Sequence, residues 1–330
     1  MKISELQFAY PEELVATRPQ KPSRVMWVEG EALPVELSFA QLLAKIPAGD
    51  ILVVNNTRVL KRRVFSAGLE ILFLSAKNQT DWEVLFPSRK FKVGDSIELP
   101  LGRKMILVEK GRPQRVTTDE PLTEEYFQEV AELPLPPYIQ KARGERHTVE
   151  ADESWYQTAW AREAGSLAAP TASLHFAVED IQALRARGVR VLETTLHVGL
   201  GTFLPVTTDD LNDHDMHEEF YEIAAETWQE ILSAKVSGKK IWALGTTVAR
   251  TLESCARSEI LAGSTKLLLQ PGSELKIVDR LLTNFHQPES TLLALVFAFA
   301  GADVVREAYR WAIEKKFRLF SYGDLSVWLR

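Results

Sequence analysis

The sequence predicts an α/β fold, in which a discontinuous, mainly parallel α/β domain is interrupted by a small inserted antiparallel β-barrel domain. Three observations carry that expectation. Strand-like and helix-like segments alternate after residue 140, short alternating segments with regular turn signals fill residues 58–139, and the insertion is basic whereas the rest is acidic. Residues 1–57 and 140–330 are therefore assigned to the α/β domain and residues 58–139 to the barrel.

In the first segment, Phe39–Ala44 reads as a helix and Asp50–Asn55 as a strand. An unbroken apolar run that ends in Asn and Thr suits a strand covered on both faces, with polar groups in the loop beyond it. In the insertion, strand signals at Val59–Phe65, Leu69–Leu74, Trp82–Phe86, Ser96–Leu99 and Met105–Val108 are separated by turn residues such as Gly68, Gly102 and Gly111–Pro113. LPLPPY (Leu133–Tyr138) closes the insertion as an extended connector, because proline resists a helix interior.

The third segment alternates. Val178–Arg187 is a helix ending at Gly188, Val189–His197 a strand, and Glu222–Val236 an amphipathic helix. Lys240–Gly245 is a strand that leads into a helix over Val248–Arg257. Thr265–Gln270 is a further strand, and helices cover Ser290–Ala300 and Asp303–Lys315. Ligands of open α/β sheets bind beyond the C-terminal ends of the strands, and nearly every unusual polar motif here follows a strand.

With 330 residues and 45% hydrophobic composition, the chain can bury a core large enough for two domains. Its one cysteine, Cys255, excludes an intramolecular disulfide and fits a reducing cytoplasm. The start, MKISELQFAY, lacks a secretory pattern, and the most apolar window, Leu292–Ala300, is too short to span a bilayer, so no membrane role is expected. Residues 58–115 carry a net charge of +7 within a chain of net charge −6. A basic module on an acidic body suits contact with RNA phosphates, and Arg58, Lys61, Arg62 and Arg63 are its expected docking cations.

Five clusters look chemical. In Gly165–Phe176 (GSLAAPTASLHF), small residues around Ser166, Ala168, Pro170 and Thr171 let backbone amides approach a ligand, and His175 stands near a helix start whose dipole lowers its pKa. In Thr195–Val206 (TLHVGLGTFLPV), a strand delivers His197 to a turn at Gly199 and Gly201, and Phe203 offers a ring to a base or a sulfonium. That Gly-x-Gly lacks the spacing of a dinucleotide fingerprint, which excludes a nicotinamide enzyme. His214–Ile223 (HDMHEEFYEI) presents His214 and His217 for hydrogen bonding or acid–base work; their spacing does not suit zinc, and no metal is expected.

Gly245–Ser254 (GTTVARTLES) puts Gly245, Thr246 and Thr247 at a helix N-terminus, a pocket for a carboxylate that Arg250 would complete. Finally, Thr283–Gly301 and Phe320–Leu325 place Asn284, His286, Tyr322 and Asp324 beside apolar stretches, where unpaired burial would be costly.

Together with NNTRV (Asn55–Val59), LPLPPYI (Leu133–Ile139) and YQT (Tyr156–Thr158), these clusters closely resemble the S-adenosylmethionine:tRNA ribosyltransferase-isomerase family, in the family's order over nearly the whole chain. The resemblance implies a two-domain plan with an inserted β-barrel. It also implies that S-adenosylmethionine is consumed as a ribosyl donor to 7-aminomethyl-7-deazaguanine at the tRNA wobble position. The product would be epoxyqueuosine, with adenine and methionine released and no obligatory protein partner.

On that reading, a base must remove the proton that the sulfonium acidifies, adenine must be protonated as it leaves, and the methionine carboxylate needs a clamp. Acid–base duty falls to His175, His197, His214 and His217 without a choice among them, and the clamp to Thr246, Thr247 and Arg250. The sequence departs from the family at a shortened start around Phe8–Tyr10 and in LKRRVF, which reaches Ile71 through a brief turn. Ser173 stands where glycine is usual, Val248–Ala249 replaces Ser-Val, and Gln287 replaces an apolar residue. Ser173 and Val248 lie nearest the expected pocket and bear on substrate preference. Competing readings are a paralogue acting on another nucleobase or small molecule, a non-catalytic RNA-binding protein, and, last, a metallohydrolase built on His214 and His217.

Overall fold

A computed structural model describes residues 1–199, 201 and 206–330. Nine strands build the larger sheet: β1 (Arg24–Glu29), β2 (Val35–Ser38), β3 (Ile51–Asn55), β13 (Arg190–Leu196), β14 (Glu219–Glu222), β15 (Ile241–Leu244), β16 (Ala262–Thr265), β17 (Arg280–Asn284) and β18 (Leu325–Leu329). Seven build the second: β5 (Arg63–Ser66), β6 (Leu69–Ala76), β7 (Asp81–Leu85), β8 (Ser96–Glu98), β9 (Lys104–Glu109), β10 (Gln114–Thr118) and β11 (Ala131–Glu132). Between the sheets, β4 (Thr57–Val59) pairs in parallel with β12 (Glu163–Ser166).

The larger sheet runs β16-β14-β13-β3-β15-β17-β18-β1-β2. Its centre is β3, whose five residues are all buried. Ile51 and Val53 face one core with α6 (Ala225–Val236), α7 (Thr246–Ser258), α8 (Thr291–Ala300) and α9 (Ala302–Glu314). Leu52 and Val54 face the other, with Phe39 and Leu42 of α1 (Phe39–Lys45) and Ile181 and Leu184 of α5 (Val178–Ala186). Covering by helices on both faces is what an unbroken ILVV run requires.

The strands β13, β3, β15 and β17 are mutually parallel, but β14, β16, β18 and β2 each run antiparallel to a neighbour. The sheet is therefore mixed, which corrects the mainly parallel expectation. Neither the strand β18 (LSVWL) nor the hairpin β1–β2 was expected from the sequence; β18 runs antiparallel to β17 and parallel to β1, and β2 antiparallel to β1. Ser38 caps α1 by accepting from the Gln41 amide at 3.2 Å.

The second sheet runs β11-β5-β6-β7-β10-β9-β8 and is antiparallel throughout. It encloses its own core around Val64, Phe73, Trp82, Val84, Met105 and Val116. The end strands β11 and β8 do not pair with each other among the described residues, so the sheet is a curled half-barrel, compatible with the small antiparallel barrel expected. Helix α2 (Glu124–Val130), also unforeseen, stops the open side: its Phe127 meets Phe73 and Trp82 edge-on, both at 5.1 Å between centroids.

Three boundaries differ from expectation. The extended stretch ends at Pro136, and Pro137 instead starts α3 (Pro137–Arg143), since proline is tolerated in a first helical turn. The helix placed over Glu222–Val236 begins only at Ala225, because Glu219–Glu222 alternates buried and exposed as a strand. The strand placed at Thr265–Gln270 lies earlier, at Ala262–Thr265.

The two sheets meet through α3, α4 (Asp152–Trp155) and the β4–β12 pair. The fully buried Asp152 accepts from Arg143 at 2.6 and 2.8 Å, from the Tyr322 hydroxyl at 3.1 Å and from the Val149 amide at 2.9 Å. Burial alone would raise its pKa; the Arg143 guanidinium and the Val149 amide outweigh that and hold it below the usual carboxylate range. Asp152→Ala leaves Arg143 and Tyr322 without this partner and is expected to cost about 3 kcal/mol, read as a lower midpoint in urea unfolding.

Candidate active site

A cavity of about 420 Å³ opens beyond the C-terminal ends of β13, β15 and β17, within the range of sites for nucleotide-sized ligands. All five clusters reach it: Ala168–Ala172, Val198 and Gly201, His214 with Met216, His217 and Glu219, then Gly245–Thr247 and Arg250, and lastly Thr283–Leu292 with Phe320 and Ser321. Tyr138 of α3 and Tyr156 complete the wall, so the connector between the sheets is part of the site. Phe203 lies outside the described residues.

One pole of the cavity is built for an anion. After β15, Gly245 turns at φ +98°, a conformation that disfavours any side chain, and α7 starts at once with its free amides at the cavity. The buried Thr247 Oγ1 has no hydrogen-bond partner among the described residues, and neither has Arg250 Nη2. The rest of the Arg250 guanidinium is held: Nε donates to Leu267 O at 3.1 Å, and Nη1 forms an ion pair with Glu219. Glu219 also accepts from the Gly199 amide at 3.0 Å, so one carboxylate ties the turn after β13 to the helix after β15. Sequence reasoning passed over Glu219. Its signal was strand parity: in EFYE, Glu219 and Tyr221 point inward while Phe220 and Glu222 are exposed.

The four histidines proposed for acid–base work divide. His214 and His217 line the cavity and are half-buried. Burial, and next the neighbouring His217, lower the His214 pKa against the opposing Asp215, which favours a neutral ring able to accept a proton. Gly201 packs 3.4 Å from the His217 ring, measured from where a Cβ would stand.

His175 does not reach the cavity. Its Nδ1 is hydrogen-bonded to Ser23 Oγ at 2.6 Å, and Asn284 Nδ2 donates to its Nε2 at 3.1 Å. Because Asn284 Nδ2 also donates to Phe320 O, that end of the amide is the donor, and the ring carries its proton on Nδ1. Burial first, then the charges of Lys21 and Arg318, push its pKa down to about 3. The expected cause, a helix dipole, is a minor matter here, since Thr171–His175 is a single 3-10 turn. His175 is thus a neutral support for Asn284, whose Oδ1 accepts from Thr171 Oγ1 at 2.9 Å on the cavity wall.

His197 also stands behind the wall. It bonds Thr57 Oγ1 at 2.7 Å, stacks on Phe220, and presses so closely on Gly165 that a Cβ there would lie 2.7 Å from the ring. Burial lowers its pKa against the pull of Glu163 and Glu222.

Other candidates sort the same way. Asn284 and His286 line the cavity; His286 bonds Thr283 Oγ1 at 2.8 Å, and burial pushes its pKa down to about 3. Ser166 is behind the wall, donating to Ala168 O at 2.7 Å and accepting from the Val198 amide at 2.9 Å. Tyr322 serves Asp152. Asp324 accepts from the amides of Arg318 and Arg24 at 2.8 and 3.3 Å, and burial raises its pKa despite them. Of the departures from the family pattern, Gln287 lines the cavity, while Ser173 and Val248 are buried outside its lining.

The docking cations need correction. Arg62 is buried over the Phe127 ring at 4.3 Å and paired with Glu124. Arg63 is buried and paired with Glu132 at 3.3 Å and Glu70 at 3.7 Å, and burial lowers its pKa. Lys61 is paired with Glu153. The charges of Arg62 and Arg63 are spent within the second sheet and its helix α2, and that of Lys61 on α4; Arg58 alone of the four is exposed.

A family model described as queuosine biosynthesis protein matches residues 3–327. The chain belongs to the queuosine biosynthesis protein family. Relatives named S-adenosylmethionine:tRNA ribosyltransferase-isomerase include those of Thermotoga petrophila, 39% identical over 338 residues, and Halothermothrix orenii, 38% identical over 344; each comparison covers 98% of both chains. A crystal structure of S-adenosylmethionine tRNA ribosyltransferase from Thermotoga maritima is 29% identical and superposes with a TM-score of 0.57, covering 98% of this chain and all of that one. Queuosine biosynthesis supplies the chemical context in which an anion pole and two accessible imidazoles in one cavity are to be understood.

The buried histidines predict an acid response. In the unfolded chain His175 and His286 titrate near ~6.5, and in the folded protein near 3. Their contribution is therefore complete above pH ~6.5 and drains away as pH falls toward 3, each on the order of 1 kcal/mol per pH unit. Urea midpoints measured from pH 7 to 5 should fall, and less steeply in a His175→Gln/His286→Gln variant.

Proposed function

We propose that this protein transfers and isomerises the ribosyl moiety of S-adenosylmethionine onto 7-aminomethyl-7-deazaguanine at the tRNA wobble position. The products are epoxyqueuosine, adenine and methionine. The observation that carries this reading is the convergence of two buried donors without a partner among the described residues, Thr247 Oγ1 and Arg250 Nη2, with two imidazoles on one cavity. Residues 58–139 act as an inserted RNA-docking domain on the catalytic body formed by residues 1–57 and 140–330, and the protein works in the cytoplasm. The membrane plays no part in this reading; among the described residues no helix is long and apolar enough to cross one.

In this assignment the methionine carboxylate takes the α7 N-terminus, Thr247 and Arg250, and Glu219 holds Arg250 in register for it. Buried orphan donors favour an anion because leaving them unpaired is costly. Ala168, Pro170 and Thr171 leave room for backbone contact with the nucleoside, and Asn284 and His286 face the incoming base. His214, neutral through burial, takes the proton that the sulfonium acidifies, and His217 is placed to return a proton to departing adenine. No metal enters this scheme, and metal analysis of the purified protein tests that.

The deciding experiment incubates the protein with S-adenosylmethionine and tRNA bearing the precursor base, then applies mass spectrometry to the digested nucleosides. Epoxyqueuosine with stoichiometric adenine is expected; neither product, with tRNA still bound, would leave only an RNA-binding protein. Glu219→Gln keeps an acceptor for Gly199 but loses the charge facing Arg250. It should raise the KM for S-adenosylmethionine roughly tenfold while the tRNA KM stays unchanged, in keeping with ~1.5–3 kcal/mol for charge-assisted hydrogen bonds. Because the His214 pKa lies below the ordinary ~6.5, kcat/KM should hold its plateau on acidification past that value. His214→Asn should lower kcat by ~100-fold or more; an acidic limb at or above 6.5 would assign the base elsewhere.

A further inference from the structure

We propose that two turns at one end of the second sheet, residues 87–94 and 110–113, form the surface on which the phosphate backbone of the tRNA anticodon stem docks. The proposal rests on the reading of this protein as a tRNA-modifying enzyme. These turns hold Arg89, Lys90, Lys92, Lys110 and Arg112 and not one acidic residue. All five side chains are exposed, and none is in an ion pair among the described residues. They differ in this from Lys61, Arg62 and Arg63, whose charge is already matched. Cations without protein partners are the ones free to displace the counterions condensed on RNA.

The sheet register puts both turns on the side of the catalytic body. Arg63 pairs with Leu72, Leu72 with Leu85, and Val84 with Gln114, so the start of β5, the end of β7 and the start of β10 share one row. The chain enters that row from the β4–β12 pair, where the Leu60 amide donates to Ser166 O at 2.9 Å, and Ala168 two residues later lines the cavity. Leu85 stands two strand spacings from that entry, about 10 Å. The turns are also fixed to each other: Gln114 Nε2 donates to Ser88 Oγ at 2.9 Å and to Phe86 O at 3.3 Å. Asp95 accepts from the Lys92 amide at 2.8 Å and closes the first turn.

The patch offers charge without a stacking platform. Phe86 is buried and Phe91 half-buried, packed on each other at 5.8 Å between centroids. Exposed rings are what splayed single-stranded bases require, so the turns fit the backbone of a stem, and base reading is left to the cavity.

The test uses the full chain carrying Arg89→Glu, Lys90→Glu and Lys92→Glu together, and a second variant, Lys77→Glu. Lys77 is exposed at the opposite end of the same sheet, in the β6–β7 turn. Affinity for an unmodified tRNA transcript is measured across a salt series. The triple variant should bind about 10–100-fold more weakly, with a slope of log affinity against log salt shallower by roughly 2–3. Its kcat at saturating tRNA and its KM for S-adenosylmethionine should stay within about twofold of wild type, while Lys77→Glu should bind tRNA normally. Unchanged affinity and slope in the triple variant would overturn the proposal, as would equal damage from Lys77→Glu, which would mean attraction by net charge alone. Absence of epoxide product from the wild-type protein is a separate failure, that of the functional reading.

Discussion

Burial of β3 on both faces is the constraint from which the rest of the molecule follows. A strand with helices above and below has no solvent side, so polar groups can emerge only past its ends. Beyond the C-terminal ends of β13, β15 and β17 the chain leaves the sheet, through Gly199 after β13 and Gly245 after β15, and it is there that hydroxyls, imidazoles and a guanidinium gather. The site is a product of the layering. The second sheet has a core of its own.

Within the site, burial assigns the roles. Histidine is equally suited by its ordinary pKa to every acid–base task, yet four histidines in this chain have four different surroundings. His175 has partners on both ring nitrogens and is fixed as neutral, so it serves as a spacer that aims Asn284. His197 fills the space that Gly165 leaves open. Of these four, His214 and His217 are the two that line the cavity among the described residues. The Arg250–Glu219 pair follows a related logic: a buried guanidinium needs a counter-charge, and Glu219 supplies it while Nη2 has no hydrogen-bond partner among the described residues.

Much of this was legible in the sequence. The ILVVN strand, the helix after GTT and the convergence of five separated motifs came from periodicity and from strand ends. Parity and partnership were harder to read. The direction of β18 depends on long-range pairing with both β17 and β1, which no local pattern encodes. Helix α2 packs Tyr126 and Phe127 into the core of the half-barrel, and that tertiary role is invisible in EEYFQEV. The basic run KRR looked like a docking surface because sequence shows charges without their partners; Glu124, Glu132 and Glu153 lie far along the chain. Glu219 was hidden beside Glu218, and only the in-and-out rhythm of a short strand separates the two.

The wall of the cavity is assembled from positions as distant as Pro137 and Ser321, and the Tyr138–Ser321 hydrogen bond joins those two ends. During synthesis the half-barrel, local in sequence, can form its core early, whereas the ligand-binding hollow does not exist until residue 321 has left the ribosome. At ~5–20 residues per second that interval is on the order of ten seconds or more. Within it, α1 already stands beside one face of β3, but the face that packs on α6, α7, α8 and α9 gains its cover only as residues 225–314 emerge, so half of the central strand stays bare until late in synthesis.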